Sequence, residues 1–502
     1  MRRCFRGSQA RPNDAVRIDA KALRCRVVGE GGNLGFTQRA RIEFALGGGL
    51  INTDFIDNSG GVDSSDREVN IKILLGLAIE RGQLARSRRD ALLAGMTDEV
   101  ARQVLENNYA QTQALSMMSA RSYERLGESV RLIKALESRA VLDRAVEHLP
   151  SEEDIEARRK AGRGLTRPEL AIILSYSKMD LYARLVDTDI PEDAYLARDL
   201  ESYFPERLQR RFAAAIEDHR LRREIIARRI ASSMVNRMGP AFAARTQEDT
   251  GSGIARIARA YAILREVFDV RALWKDIESL DNHVQAEVQY RLMFRISRML
   301  RRTVYWFLRR HTGDVAVQPM VGRLRPGVRE VLGRLAELES AHGTDRLAKD
   351  IQQLTALGVG DGLAGRIASM DYMMKALDIV EIAQAHRLGP NVVARLYFEL
   401  GEGVRFEWLR MHVEKLDVRG RWQAMARGML RENVARQQRA LLERVLDRRG
   451  NRPPEDALEK WLAEARPDIA GIHRTFQDMR SAGPMDFATV SVALKEIERH
   501  IR

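Results

Sequence analysis

The chain is 502 residues long, 45% hydrophobic and 30% charged, with a formal net charge of +13. These proportions exclude a disordered or collagen-like chain and allow roughly two to four domains, each with its own core. Two cysteines, Cys4 and Cys25, rule out a disulfide framework and suit a reducing cytoplasm, while the longest apolar run, Ile71 to Ile79, is broken by Lys72 and Gly76 and cannot cross a membrane.

In chain order, "MRRCFRGSQARP" is Arg-rich without the apolar centre of a signal peptide, so residues 1–20 are expected to form a leader with no fold of their own. The β-branched stretch Cys25–Val28 and the alternating Leu50–Ile56 predict two strands. Between them Ile42, Ala45 and Leu46 fall at helical spacing, with Thr37 as N-cap and Gly47 beyond the end. A strand–helix–strand order predicts parallel pairing with a right-handed crossover.

From about Asp90 onward the period is helical throughout. Thr97 is placed to cap a helix carrying Val100, Val104 and Leu115. Thr166 and Glu169 have capping-box spacing with Pro168 in the first turn. Val328, Val331, Leu332 and Leu335 form one apolar stripe, and Leu430, Val434, Leu441 and Val445 another. Linkers, and possible internal boundaries, are expected near 160–164, 311–319 and 448–456. The fold class expected is mixed: a partial α/β segment over 21–85, the closing end of a Rossmann-like domain, followed by an all-helical region over 86–502.

The glycine cluster after the first strand narrowly misses a dinucleotide fingerprint. Counting from Gly29, the sixth position is Leu34 rather than glycine. Too little sequence precedes it for a complete dinucleotide domain, and only helices follow. As the closing end of such a domain, the loops 29–36 and 57–65 would lie side by side at one sheet edge. Asn33 and Asn58 would then pair their amides beside glycine backbone, which suits a planar carboxamide such as nicotinamide. Ser64 and Ser65 are expected to open a helix, with Ser65 and Glu68 as a capping box, giving an anion seat for a substrate carboxylate. The alternative is that both asparagines satisfy tight turns.

The segment "VVGEGGNLGFTQRARIEFALGGGLINTDFIDNSGGVDSSDREVNIKI" resembles NAD-specific glutamate dehydrogenases of the large bacterial type. The likeness continues in "RQVLENNYAQTQALS", "GLTRPELAIILSYSKMDLY", "YFPERLQRRF", "LRREIIARRIASSMVNRMGP" and "VRFEWLRMHVEKL". The resemblance implies NAD as cofactor and oxidative deamination of L-glutamate to 2-oxoglutarate and ammonia. It implies that Glu30, Gly31 and Gly32 form the loop approaching the cofactor and that Asn33 and Asn58 lie at the nicotinamide. It implies that Ser65 binds the substrate α-carboxylate while Gly60 and Gly61 let backbone pass close to the ligands. The family's catalytic lysine, catalytic aspartate and pyrophosphate loop have no counterpart here; Lys21 and Lys72 lie in other contexts. The resemblance therefore implies a C-terminal portion, inactive or nearly so alone, whose partners are further copies or the N-terminal part of the enzyme. Residues up to about Arg11 do not share the likeness, which points to a false start, a frameshift or a split gene.

Other features have plainer readings. "FRISRMLRRTVYWFLRRH" places Arg295, Arg298, Arg302 and Arg309 on one helical side and Ile296, Met299, Leu300 and Phe307 on another. An amphipathic helix with a solvated Arg face is favoured over a nucleic-acid surface. "SEEDIE" at 151–156 reads as a charged helix start rather than a metal site, and His148, His219 and His283 as surface or capping residues. "GVGDGLAGR" at 358–366 reads as an interhelical loop, and Trp274, Trp306 and Trp408 as core. The non-enzymatic alternatives are a helical scaffold for oligomerisation and a basic nucleic-acid-binding protein.

Overall fold

The computed structural model describes residues 18–341 and 345–500. The expected leader up to residue 17, Cys4 included, lies outside them. The chain divides into two compact units, one of residues 1–263 with 304–318 and the other of residues 264–303 with 319–502.

The first unit begins with the short sheet. Strands β1 (Val27–Val28) and β2 (Leu50–Ile51) pair in parallel, Val27 with Leu50 and Val28 with Ile51. Helix α1 (Gln38–Leu46) joins them, and the Thr37 hydroxyl accepts from the Ala40 N–H at 3.2 Å as the N-cap. Ala20, Phe44 and Ile51 form a small core packed by Leu23, Val28, Phe36, Ala40 and Ala45.

Both strands are shorter than their sequence suggests. After Ile51 the chain turns into a single helical turn, α2 (Asp54–Asp57), because the Asp54 carboxylate accepts from the N–H groups of Phe55 at 2.9 Å and Leu34 at 3.0 Å. Aspartate thus supplies backbone partners that a strand ladder would otherwise provide. The alternation through Phe55 falls on a helical turn, with Ile56 fully buried.

The next helix corrects a second expectation. It starts at Ser59 and runs to Glu80 (α3), so Gly60 and Gly61 occupy its first turn and Ser65 its second. Ser65 caps nothing: its hydroxyl donates to the Gly61 carbonyl at 3.3 Å. Two glycines are poor helix formers, and contacts from α4 (Thr97–Ala120) override them. Gly60 packs against Val104, and the Asn108 amide donates to the Ile56 carbonyl at 3.1 Å and to Ser59 Oγ at 2.7 Å. At the start of α4, Met96 holds the N-cap position, and the Thr97 hydroxyl donates backwards to the Ala94 carbonyl at 3.2 Å.

Helices α5 (Glu152–Lys160) and α6 (Arg167–Val186) each open on a capping box, Ser151 with Asp154 and Thr166 with Glu169. Glu169 is fully buried and takes two bonds from Arg158, at 2.6 and 2.7 Å. Helix α7 (Arg222–Met238) packs along α6. His219, just before α7, is buried rather than at the surface. Its Nδ1 accepts from the Leu221 N–H at 3.1 Å, so Nε2 donates to the Asn70 carbonyl, also at 3.1 Å. Burial lowers its pKa below the ordinary histidine value.

The α5–α6 connection explains one glycine. A Cβ on Gly164 would lie 2.3 Å from the backbone carbonyl carbon of Ser122 and 2.2 Å from its hydroxyl. Backbone cannot yield as a side-chain tip can, so Gly164→Ala is expected to destabilise the first unit by about 1–2 kcal/mol, read as a lower urea midpoint.

The regular elements of the second unit are all helices among its described residues. Its part of α8 (Ala286–Arg310) buries Ile296, Met299 and Leu300 and commits Arg295 and Arg302 to neighbouring carboxylates. Arg295 bonds Asp350 at 3.0 Å and approaches Asp371 at 3.3 Å, while Arg302 bonds Glu414 at 3.3 Å. Burial, with Arg431 nearby, holds the Arg302 guanidinium down at about 10. An Arg face engaged in this way has less to offer phosphate. Val328, Val331 and Leu335 are buried, as are Val434, Leu441 and Val445. Trp274 is buried, and Trp408 stacks on Phe476 with ring centroids 4.6 Å apart. The "GVGDGLAGR" stretch is only partly loop, since Asp361 already begins a helix that continues to Ala368.

Candidate cofactor and substrate site

Beyond the sheet, the loop after β1 and the turn after β2 meet. The Asn58 side-chain amide donates to Asn33 Oδ1 at 3.0 Å, and both groups are exposed. That bond uses one donor and one acceptor. It leaves Asn33 Nδ2 as a donor and Asn58 Oδ1 as an acceptor on adjacent residues, the complement of a primary carboxamide.

A buried clasp holds the two loops together. The Glu30 carboxylate accepts from Arg41 Nε at 2.5 Å, Arg41 Nη2 at 3.0 Å and the Phe36 N–H at 3.0 Å. Arg41 also pairs with Asp54 at 3.2 Å, and Asp54 in turn holds the Leu34 N–H. The Glu30 N–H donates to Asp57 at 2.9 Å, and Asn52 donates to the same carboxylate at 2.7 Å. Burial pulls the Arg41 pKa down, but Glu30 and Asp54 outweigh it and raise the group above its ordinary value. Burial pushes Asp54 up, yet the Leu34 N–H and the Arg41 charge hold it below the usual carboxylate range.

Of the residues expected at a ligand, Asn33 and Asn58 meet directly. Glu30 turns its side chain inward as the clasp, leaving only its backbone at the loop. Gly31 and Gly32 are exposed, with open space where a Cβ would project. Gly61 sits where a Cβ would lie 2.7 Å from Asn58 Oδ1, so glycine keeps room for that amide. Ser65, one turn beyond Gly61, lies exposed on the same helical face as Gly61.

Several supporting residues carried no individual signal in the sequence. Asn107 donates to Asp63 at 2.7 Å, and the buried Arg67 reaches Asp63 at 3.3 Å and the Tyr203 carbonyl at 2.8 Å. Arg167 donates to Asn52 at 2.8 Å, tying α6 to the clasp. Lys178, half-buried on α6, donates to Gln111 at 2.7 Å, and burial and then Arg228 bring its pKa down to about 7. Arg41 and Lys178 could have been flagged only as charges interrupting apolar spacing, which is a weak cue.

Two facing amides thus lie beyond a short parallel pair of strands, in a unit that is otherwise helical among its described residues. Residues 162–499 match the family described as "Glutamate dehydrogenase, C-terminal", and residues 7–118 match "Bacterial NAD-glutamate dehydrogenase, catalytic domain". The chain belongs to the glutamate dehydrogenase family. It is 41% identical over 486 residues to the NAD-specific glutamate dehydrogenase of Pseudomonas aeruginosa and 39% identical over 490 residues to that of Halomonas elongata, in each case across 97% of this chain. The Mycobacterium tuberculosis protein of the same description is 34% identical over 493 residues, 98% of this chain. The chain spans about 30% of the length of each of these relatives. Among the described residues no helix is long and apolar enough to cross a membrane.

Proposed function

We propose that residues 21–85 are the closing end of a Rossmann-like domain and supply part of an NAD and L-glutamate site in a glutamate dehydrogenase, with residues 86–502 as its helical body. The single observation that carries this reading is the donor and acceptor left by the Asn33–Asn58 bond, which match the nicotinamide carboxamide. When bound, NAD would supply the hydride acceptor for the glutamate Cα, and hydrolysis of the imine so formed would release 2-oxoglutarate and ammonia.

In this reading Asn33 Nδ2 donates to the carboxamide oxygen, and Asn58 Oδ1 accepts from its nitrogen, fixing the ring plane. The Glu30–Arg41–Asp54 clasp holds both loops so that little ordering is left for binding to accomplish. Ser65, exposed on the face of α3 that carries Gly61, donates its hydroxyl to the substrate carboxylate in place of the Gly61 carbonyl. Proton transfer falls to the family's lysine and aspartate, which have no counterpart in this chain, so binding without turnover is expected of it alone.

Titrating the chain with NADH, followed by nicotinamide fluorescence, tests the assignment. Asn33→Ala and Asn58→Ala should each weaken binding by about five- to tenfold, the worth of one directed hydrogen bond. Variants that bind NADH as tightly as the parent would show that these amides serve only their turns.

A further inference from the structure

On the far side of α1 from the clasp lies a cleft of about 830 Å³. Its walls are one stripe of α1, Arg39, Ile42 and Leu46, and the segment around His148, Leu149 and Pro150 that leads into α5. These helix positions are three and four residues apart, whereas Arg41 and Phe44 point to the buried side. The volume falls in the range of small-molecule sites, about 300–1,000 Å³.

The hydrogen-bonding groups of the cleft are unbalanced. Its carboxylates are already engaged: Glu169 by Arg158 and Thr166, Asp154 by the Ser151 N–H and hydroxyl, Glu43 by Lys21 at 3.3 Å. Arg144 is likewise bound to Glu137 and Glu152. Arg39 spends only Nε, donating to His148 Nδ1 at 3.4 Å. Accepting there places the ring proton of His148 on Nε2. Two guanidinium nitrogens of Arg39 and the Nε2–H of His148 are therefore donors without an acceptor among the described residues. Ile42, Leu46, Leu149 and Pro150 add an apolar lining beside them. His148 also adopts a left-handed backbone, φ +53°, uncommon for a residue other than glycine.

We propose that this cleft binds a small organic oxyanion, a single carboxylate or phosphate carried on an apolar body. Arg39 and His148 hold the oxyanion, and Ile42, Leu46, Leu149 and Pro150 cover the body. The site is separate from the Asn33–Asn58 pair and does not depend on the dehydrogenase reading.

Calorimetric titration of the full chain with hexanoate, phenyl phosphate and inorganic phosphate tests it. Either organic probe should bind, and whichever binds more tightly identifies the headgroup. Inorganic phosphate, lacking a body, should bind at least about tenfold more weakly than that probe. Arg39→Ala and His148→Asn should each weaken the organic probe by about tenfold, whereas Asn33→Ala should leave it unchanged. Asparagine tolerates the left-handed backbone at position 148, so that variant should melt with the parent. Three results would each overturn the proposal: no heat with either organic probe, binding indifferent to both cleft substitutions, or loss of binding in Asn33→Ala.

Discussion

Arg41→Met should destabilise the first unit by about 3–5 kcal/mol, because it leaves two buried carboxylates without their counter-charge. Glu30 is 4% exposed and Asp54 9%, and Arg41 is the cation that faces both. Methionine fills much of the same volume, so packing contributes little to the loss. Urea unfolding should show a lower midpoint. Hydrogen exchange should show early opening at Leu34 and Phe36, whose N–H groups depend on the same carboxylates. The pH dependence has a definite sign. Asp54 has a lowered folded pKa, so its contribution is present above its unfolded value of about 3.9 and is lost as pH falls through the folded value. Variant and parent should therefore converge in acid. An unchanged midpoint at neutral pH would show that the clasp is solvated and holds nothing.

Lys178→Met should act in the opposite direction and stabilise. A fall from the ordinary 10.5 to about 7 corresponds to on the order of 5 kcal/mol against the charged form. Unfolded, the amine keeps its proton up to about pH 10.4; folded, it releases it near 7. Across that window the unfolded chain binds more protons, so the stability of the parent rises with pH, and the penalty is complete below about 7. The variant should thus be most favoured at pH 6–7, by several kcal/mol and at most about 5, with the difference closing near pH 10. Above that, loss of the Gln111 bond should favour the parent by about 1 kcal/mol. Urea midpoints measured from pH 6 to 10 decide the matter; a difference independent of pH would remove titration of Lys178 as the cause.

What was legible in the sequence follows the range of the forces involved. Caps at Thr37 and Thr166 depend on residues within three positions and both are formed, whereas the helices expected to start at Thr97 and Ser65 take other caps because tertiary contacts move their first turns. Parallel pairing of the two strands follows from one helix between them. The Asn33–Asn58 contact was accessible because both loops leave the same sheet edge. By contrast, the start of α3 at Ser59 depends on Asn108, and the end of β2 on an aspartate shared with Leu34. His219 is buried through an element more than a hundred residues away. The clasp joins charges 11 and 13 residues apart, and no periodic pattern could have paired them.

Helix α1 has two occupied sides, and that gives it a mechanical role. One side carries the guanidinium that grips the glycine-rich loop; the other lines an open cleft only two residues further back along the turn. A molecule lodged in that cleft would bear on the same short rod that sets the spacing of the two amides. If the two amides hold nicotinamide as proposed, any resulting change in its affinity must be mirrored in the affinity for the lodged molecule, since linkage between two sites runs equally in both directions.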